Sequence, residues 1–156
     1  MRAIGLNFQK GKIRVVTLVD DGKSTSFESR DTIIIDPNLP LPELADRYVR
    51  NFRNAVDKFV PDIIAARQVY ESGSIDASVS QIMPLALLAF VANERRINLS
   101  LYTMQALNAP VAFGLVKPQK PIDEVDGLFG SHAPYWDSMH RTALLVAWRS
   151  LREARQ

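Results

Sequence analysis

An aspartate and a histidine, Asp137 and His140, are the pair whose types and spacing come nearest to catalytic chemistry. Residues three apart on a helix share a face, so the carboxylate could orient the imidazole as a general base. The same aspartate follows Pro134-Tyr135-Trp136, at the position where a helix N-cap belongs. Both roles stay open for Asp137, and capping is the favoured one.

Basic and aromatic residues indicate a second kind of chemistry, contact with nucleic acid. Cations neutralise phosphates, and exposed aromatic rings stack on bases. Tyr135 and Trp136 would supply the rings. The candidate cations are Lys10, Lys12, Lys117, Lys120 and Arg141, with Arg67 as a further one. Because these cations are scattered along the sequence, a solubilising surface is favoured over a nucleic-acid groove, and core packing is favoured for Tyr135, Trp136 and Met139.

The composition is that of an ordinary globular protein. The 156 residues suit a single domain over 1–156, and the 47% of hydrophobic residues can form one core. The chain has no cysteine and two histidines, which excludes disulfides, thiolate metal sites, thiol nucleophiles and histidine-rich metal centres. A net charge of +2 is too small to identify a partner. No segment predicts a signal peptide or membrane span, so we expect a cytoplasmic protein without a membrane partner.

The first part of the chain predicts a three-stranded antiparallel meander. The predicted strands are Ala3–Phe8, Lys12–Asp20 and Thr25–Ile35. Asp21-Gly22 is a strong turn signal between the second and third strands. Pro37 and Pro40 close the meander, because proline cannot donate to a strand ladder.

The rest of the chain alternates helical and extended patterns. The predicted helices are Leu41–Phe59, 80–93 and a last helix from Asp137. The predicted strands are 62–70 and 97–103. The second helix is apolar almost throughout, which predicts deep burial and also allows packing against a second copy of the chain. Residues 108–134 are broken by prolines and glycines and predict no regular structure.

With the elements in this order, three segments resemble the RuvC-like branch of the RNase H-like fold. Ala3-Ile4-Gly5-Leu6-Asn7 looks like the family's first strand, of the form I-G-I-D. Val60 to Tyr70 is similar to a family segment P-D-x-x-A-I-E-Q-V-F, and Thr142 to Ala147 is similar to D-A-L-A-I-A on the final helix. The resemblance implies an α/β fold with a mixed five-stranded sheet, the antiparallel meander plus two parallel strands, flanked by helices. The strand with Asn7 would be central and parallel to the strand with Arg67.

The resemblance also implies a site. Family members that cut nucleic acid place acidic side chains on adjacent strands and on the last helix, where carboxylates converge on two divalent cations beside a phosphodiester. At the matching positions this chain has Asn7, Arg67, Met139 and Thr142. Since a permanent cation repels Mg²⁺, we predict no conventional metal site, no catalytic residue at these positions and no cofactor.

Arg67 allows two interpretations. Its guanidinium could bind a phosphate directly in place of the metals, or it could pair with Glu71 or Asp137 as an ordinary half-buried arginine. The internal pair is favoured, because buried arginines are usually paired. For Asn7, local hydrogen bonding is favoured over catalysis.

The favoured function is that of a catalytically degenerate RuvC-like domain, a binding or assembly module. Its candidate partners are structured DNA or RNA, a second copy of the chain, or another protein. The alternative is a Mg²⁺-dependent endonuclease of the junction resolvase or RNase H type, so enzymatic activity stays open. Its acids would have migrated to Asp20, Asp36, Glu71 or Asp137, with His140 as a further candidate. A sugar-kinase-like or actin-like fragment ranks last, because the chain lacks a Gly-rich phosphate turn.

Overall fold

The computed structural model describes residues 1–69, 73–75 and 78–156. The strands are β1 (Arg2–Gln9), β2 (Lys12–Asp20), β3 (Thr25–Ile34), β4 (Ile63–Arg67) and β5 (Asn98–Tyr102). The helices are α1 (Leu41–Phe59), α2 (Met83–Arg95), α3 (Met104–Leu107), α4 (Val125–Phe129) and α5 (Ser138–Ala154). A π-helical turn at Ser78–Ile82 precedes α2, and a 3₁₀ turn lies at Pro110–Phe113.

The strands form one sheet in the order β3-β2-β1-β4-β5. β1, β2 and β3 pair antiparallel, whereas β4 pairs parallel with both β1 and β5. Leu6 lies opposite Ala66 in the parallel register, so the strand of Asn7 is central and adjacent to the strand of Arg67. The predicted mixed five-stranded sheet is confirmed.

Alternation along β1 separates two cores. Ile4 and Leu6 face the side covered by α1 and α2, where they join the cluster that contains Phe52. Ala3 faces the other side and packs in the cluster that contains Leu144 of α5. Because the period of a strand is two, Gly5 and Asn7 also face α5.

Gly5 brings α5 close to the central strand. A Cβ at this position would lie 1.9 Å from the backbone oxygen of Ala143. Only a residue without a side chain therefore lets the helix rest on β1 at this point. The contact fixes the first turns of α5 above the carboxyl end of β1, where Asn7 lies.

The helix α2, the second of the predicted helices, is less buried than its apolar sequence predicts. Leu85, Leu88 and Val91 are buried against the sheet and α1, but Phe90 on the opposite side is 55% exposed. The deep burial predicted from apolar content is wrong, because the helix lies on one face of the sheet and no further layer of described residues covers it. None of the helices in the described part of the chain combines the length and apolar character needed to cross a bilayer.

Candidate functional site

The four positions that the resemblance matches to acids lie near one another on the α5 face of the sheet. With the neighbouring Arg14 and His140 they form what we call the cluster. Asn7 is 1% exposed, and its Nδ2 donates to the Met139 backbone oxygen at 3.3 Å and lies 3.2 Å from the Met139 Sδ. Thr142 is on the same helix and buried, and its hydroxyl donates to the Ser138 carbonyl at 3.0 Å. Arg67 ends β4, one residue after the paired Leu6 and Ala66, and is therefore the strand neighbour of Asn7.

Arg67 has no partner among the residues that the structure describes. Its Nε is buried without a hydrogen-bond acceptor, and no described carboxylate forms an ion pair with it. The predicted pair with Asp137 is wrong, because Asp137 lies over β2 and binds Arg14 instead. The other predicted partner, Glu71, lies outside the described residues.

Arg14 is a site residue that the sequence reasoning missed. It faces Asn7 across the β1–β2 pair, and its Nη2 and Nε lie 3.0 Å and 3.1 Å from the Asp137 Oδ2. Its side chain is only 11% exposed, and its Nη1 is buried without an acceptor. The sequence feature that could have identified Arg14 is the β1–β2 hairpin around Gly11, whose register places Arg14 opposite Asn7.

Asp137 and His140 form a capping structure at the start of α5. The Asp137 side chain accepts from the His140 backbone amide at 2.6 Å, which confirms the predicted N-cap. The imidazole Nδ1 lies 3.1 Å from the Asp137 Oδ1, and the Nε2 lies 3.3 Å from the Thr32 hydroxyl. Both ring nitrogens therefore have protein neighbours, which does not favour a general base waiting for substrate.

The ionisation of this pair follows from its contacts. Burial lowers the pKa of His140, because desolvation outweighs the attraction of Asp137. Burial opposes ionisation of Asp137 as well, but hydrogen bonds from the His140 amide and the Arg14 guanidinium outweigh it and lower the pKa of this carboxyl. The favoured state is an aspartate beside a neutral imidazole.

Asp137→Ala should lower the free energy of unfolding by about 1–2 kcal/mol, because α5 loses its cap and Arg14 loses its partner. Asp137→Asn keeps a capping acceptor and should cost less. The depressed carboxyl pKa stabilises the wild type above about pH 4 and this contribution disappears at lower pH. Urea unfolding at several pH values measures both effects, with exposed Asp123→Ala as control. Equal losses in the two Asp137 variants would contradict the capping role.

The lowered pKa of His140 predicts a separate pH dependence. The unfolded chain takes up a proton near the ordinary pKa of about 6.5, before the folded chain does. Stability should therefore fall as pH drops below about 6.5, by at most about 1.4 kcal/mol per pH unit. His140→Gln should flatten the profile between about pH 5 and pH 7. An unchanged slope in that variant, measured by urea unfolding, would show that His140 is not the responsible group.

Two divalent cations do not fit the residues at the centre of the cluster. Asn7 offers one neutral oxygen, while Arg14 and Arg67 bring permanent positive charge to the strands on either side of it. Asp20 lies at the far end of β2, buried and paired with Arg155. Among the described residues, no three side chains of His, Cys, Asp or Glu are grouped so that they could hold a metal ion.

The remaining candidate acids do not join the cluster. Asp36 is exposed and accepts a hydrogen bond from the Asn38 amide in the turn after β3. Glu71 is not described. Asp137 is therefore the described candidate acid that contacts the cluster, and its partners there are Arg14 and His140.

The other predicted cations have different surroundings. Arg141 binds the Asp126 carboxylate at 2.7 Å and the Ile122 carbonyl at 3.0 Å, so it ties a loop to α5. Lys10 lies in the β1–β2 turn and has a partner, whereas Lys117 and Lys120 are exposed in the segment between the 3₁₀ turn and α4. No hydrogen bond or ion pair among the described residues joins these lysines to the cluster.

The aromatic pair divides between core and surface. Trp136 is 5% exposed, donates to the Gly130 carbonyl at 2.8 Å, and lies edge-on to Phe27 at 5.0 Å, as core packing predicts. Tyr135 is 80% exposed, so the core role predicted for it is wrong.

Solved structures of Holliday junction resolvases share this fold. Thermus thermophilus RuvC, solved in complex with a Holliday junction substrate, gives a TM-score of 0.79 at 15% identity, over 99% of this chain and 95% of that one. The chain has the RuvC-like form of the RNase H-like fold. The RuvC-like fold also occurs in the yeast mitochondrial Holliday junction resolvase, with a TM-score of 0.70 at 16% identity, over 98% of this chain and 79% of that one.

One curated sequence adds to this likeness. The crossover junction endodeoxyribonuclease RuvC of Corynebacterium glutamicum is 26% identical over 109 residues, which are 57% of this chain and 49% of that protein. The match therefore spans about half the length of that relative. No family model matches the chain. These likenesses establish the RuvC-like fold of the chain.

Proposed function

We propose that this protein binds branched DNA on the α5 face of its sheet and does not cleave it by two-metal chemistry. The main support is Arg67, which lies beside Asn7 at the positions where the resemblance implies carboxylates and has no partner among the described residues. The residue is half-buried and its Nε is buried, so a cation without a described counter-ion at this place favours an anionic ligand. The solved neighbour in complex with a Holliday junction substrate supports branched DNA as that ligand.

Additional contacts would come from exposed cations and a ring outside the cluster. Lys117 and Lys120 are exposed, and Tyr135 presents an open aromatic face on the segment before α5. Phosphate contacts by lysines are independent of sequence, and an exposed ring stacks on an unpaired base at a branch point. The cytoplasmic location expected from the sequence is part of this proposal.

Binding is tested without metal. In EDTA, the protein should bind a four-way DNA junction at least about tenfold more tightly than a linear duplex of the same length, measured by fluorescence anisotropy. Affinity should fall steeply as the salt concentration rises, because phosphate contacts release counterions. Equal affinity for junction and duplex would contradict recognition of branched DNA, and no binding at low salt would contradict a nucleic-acid function.

The alternative is a metal-dependent endonuclease with migrated acids. The names of the neighbours favour it, since they are a crossover junction endodeoxyribonuclease and Holliday junction resolvases. Glu71 and Asp137 are the acids to change under this alternative. Cleavage of a junction in the presence of Mg²⁺ or Mn²⁺ separates the two functions.

A homodimer through α2 is a further part of the proposal. The exposed Phe90 lies beside the exposed Ala86 and Ala89, small residues that allow the same helix of a second copy to approach closely. Phe90→Glu should convert a dimer to a monomer in light scattering, whereas Asn93→Glu on the rim of the same face should have a smaller effect. A wild-type monomer at high concentration would contradict this part.

A further inference from the structure

We propose that Arg14 and Arg67 together bind one phosphodiester group, at the place where the resemblance implies divalent metals. The inference rests on the proposed function for the source of that phosphate, the backbone of branched DNA. It assigns to the site a ligand and two recognition residues, of which Arg14 was not a candidate from the sequence.

The sheet places the two arginines on either side of Asn7. Arg14 is directly opposite Asn7 on β2, and Arg67 follows Ala66, the partner of Leu6, on β4. Neighbouring strands are about 4.8 Å apart, so the two arginine backbones are separated by about 10 Å across the central strand. Arg14 faces α5 because it contacts Asp137, and Arg67 faces the same side because it is two residues from Ala65 in the α5 core.

Each guanidinium has a buried nitrogen that finds no acceptor among the described residues. These atoms are the Arg67 Nε and the Arg14 Nη1. Buried side-chain donors are normally satisfied, and two unsatisfied arginine nitrogens around one buried residue indicate a common ligand. Asp137 holds Arg14 by its Nε and Nη2, which fixes the guanidinium and leaves the Nη1 as its remaining donor. Because protein atoms cover the Nη1, a phosphate reaches it only when the side chains over it move.

The chemistry of the pair selects a phosphodiester. Guanidinium groups donate in a planar fork that matches phosphate oxygens. A phosphodiester has two non-bridging oxygens, so each arginine can take one of them, with the single negative charge between two cations. The site thus offers a phosphate the charge of Arg67 and a donor of Arg14, whose own charge is shared with Asp137, without the Lewis acid and metal-bound water that hydrolysis would require.

The first experiment uses the protein alone with inorganic phosphate. In ¹H–¹⁵N NMR spectra, the arginine Nε–H signals are assigned from their loss in Arg14→Gln and Arg67→Gln. Phosphate should shift both signals with one saturable dissociation constant, while sodium chloride of equal ionic strength should not. In Arg67→Gln, the Arg14 signal should respond at least about tenfold more weakly, whereas Arg47→Gln, an exposed arginine on α1, should leave both responses unchanged.

The second experiment uses four-way junction DNA and separates the inference from the proposed function. Arg14→Gln and Arg67→Gln should each weaken binding at least about tenfold and reduce the salt slope by about 1, and Arg47→Gln should do neither. Arg67→Lys keeps the charge but not the fork, and it should recover only part of the loss. Circular dichroism checks that each variant is folded. If Arg14→Gln does not fold, the result for Arg67→Gln alone tests the inference.

Two results would overturn the inference. One is an absence of saturable phosphate shifts at the two arginine signals, whatever the DNA result. The other is junction binding by Arg67→Gln that equals the wild type, in which case branched-DNA binding stands and its phosphate contacts lie elsewhere. If the wild type binds no junction, the proposed function fails, and the phosphate titration alone decides whether the arginines form an anion site.

Discussion

Gly5→Ala is expected to lower the free energy of unfolding by about 3 kcal/mol or more. The new Cβ would lie 1.9 Å from the Ala143 backbone oxygen, and a backbone atom cannot move aside as a flexible side chain can. The strain must lift α5 from β1. Met139 would then move away from Asn7, so the cluster would open as well.

Urea unfolding of Gly5→Ala and Gly127→Ala measures this effect against a matched control. Gly127 lies in α4, and a Cβ there meets no atom within 4 Å. Alanine at that position should be neutral or stabilise the protein by up to about 1 kcal/mol, since it reduces the entropy of the unfolded chain. A loss below about 1 kcal/mol for Gly5→Ala would contradict the close contact of helix and strand.

Arg67→Met is expected to raise the free energy of unfolding by about 1–2 kcal/mol while it weakens junction binding at least about tenfold. Methionine fills similar space and removes the charge of a half-buried side chain together with its buried Nε donor, which no described residue satisfies. A residue that lowers the stability of the free protein but strengthens ligand binding is expected where the ligand supplies the missing hydrogen-bond acceptor. The same variant thus changes the two properties in opposite directions.

Thermal and urea unfolding, together with anisotropy on the same preparations, measure both properties, with Arg47→Met as the control. Arg47 is exposed on α1, and its replacement should leave stability and affinity nearly unchanged. A marked loss of stability in Arg67→Met would show that Arg67 is half of an internal ion pair, for which Glu71 is the predicted partner. That result would restore the interpretation that the sequence favoured and remove the basis of the phosphate site.

Local patterns were sufficient to predict the frame of the fold. The β2 bounds Lys12–Asp20 and the α1 bounds Leu41–Phe59 agree with the structure, because alternation, helical period and flanking prolines all act within a few residues. The capping role of Asp137 was predictable for the same reason. The resemblance supplied the strand order that these local signals could not, with Asn7 on the central strand.

The site depended on contacts between distant segments and was predicted only in part. Arg14 becomes a site residue through the register that places it opposite Asn7 and through Asp137, 123 residues away. Its sequence neighbours show only a β-branched strand. Tyr135 and Trp136 are adjacent and chemically alike, yet Tyr135 is exposed and Trp136 is buried. Trp136 is held inside by contacts with Phe27 of β3 and the Gly130 carbonyl, which lie elsewhere in the sequence.

We expect this RuvC-like fold to hold DNA without cutting it. The direct measurement is incubation of the protein with a labelled four-way junction in Mg²⁺ or Mn²⁺, at a concentration where anisotropy shows the junction bound, with Thermus thermophilus RuvC as the positive control. We predict bound, intact junction, because Asn7 and two arginines occupy the centre where a metal pair would need carboxylates. Metal-dependent cleavage that Asp137→Asn or Glu71→Gln abolishes would contradict binding without cleavage and establish an endonuclease with migrated acids.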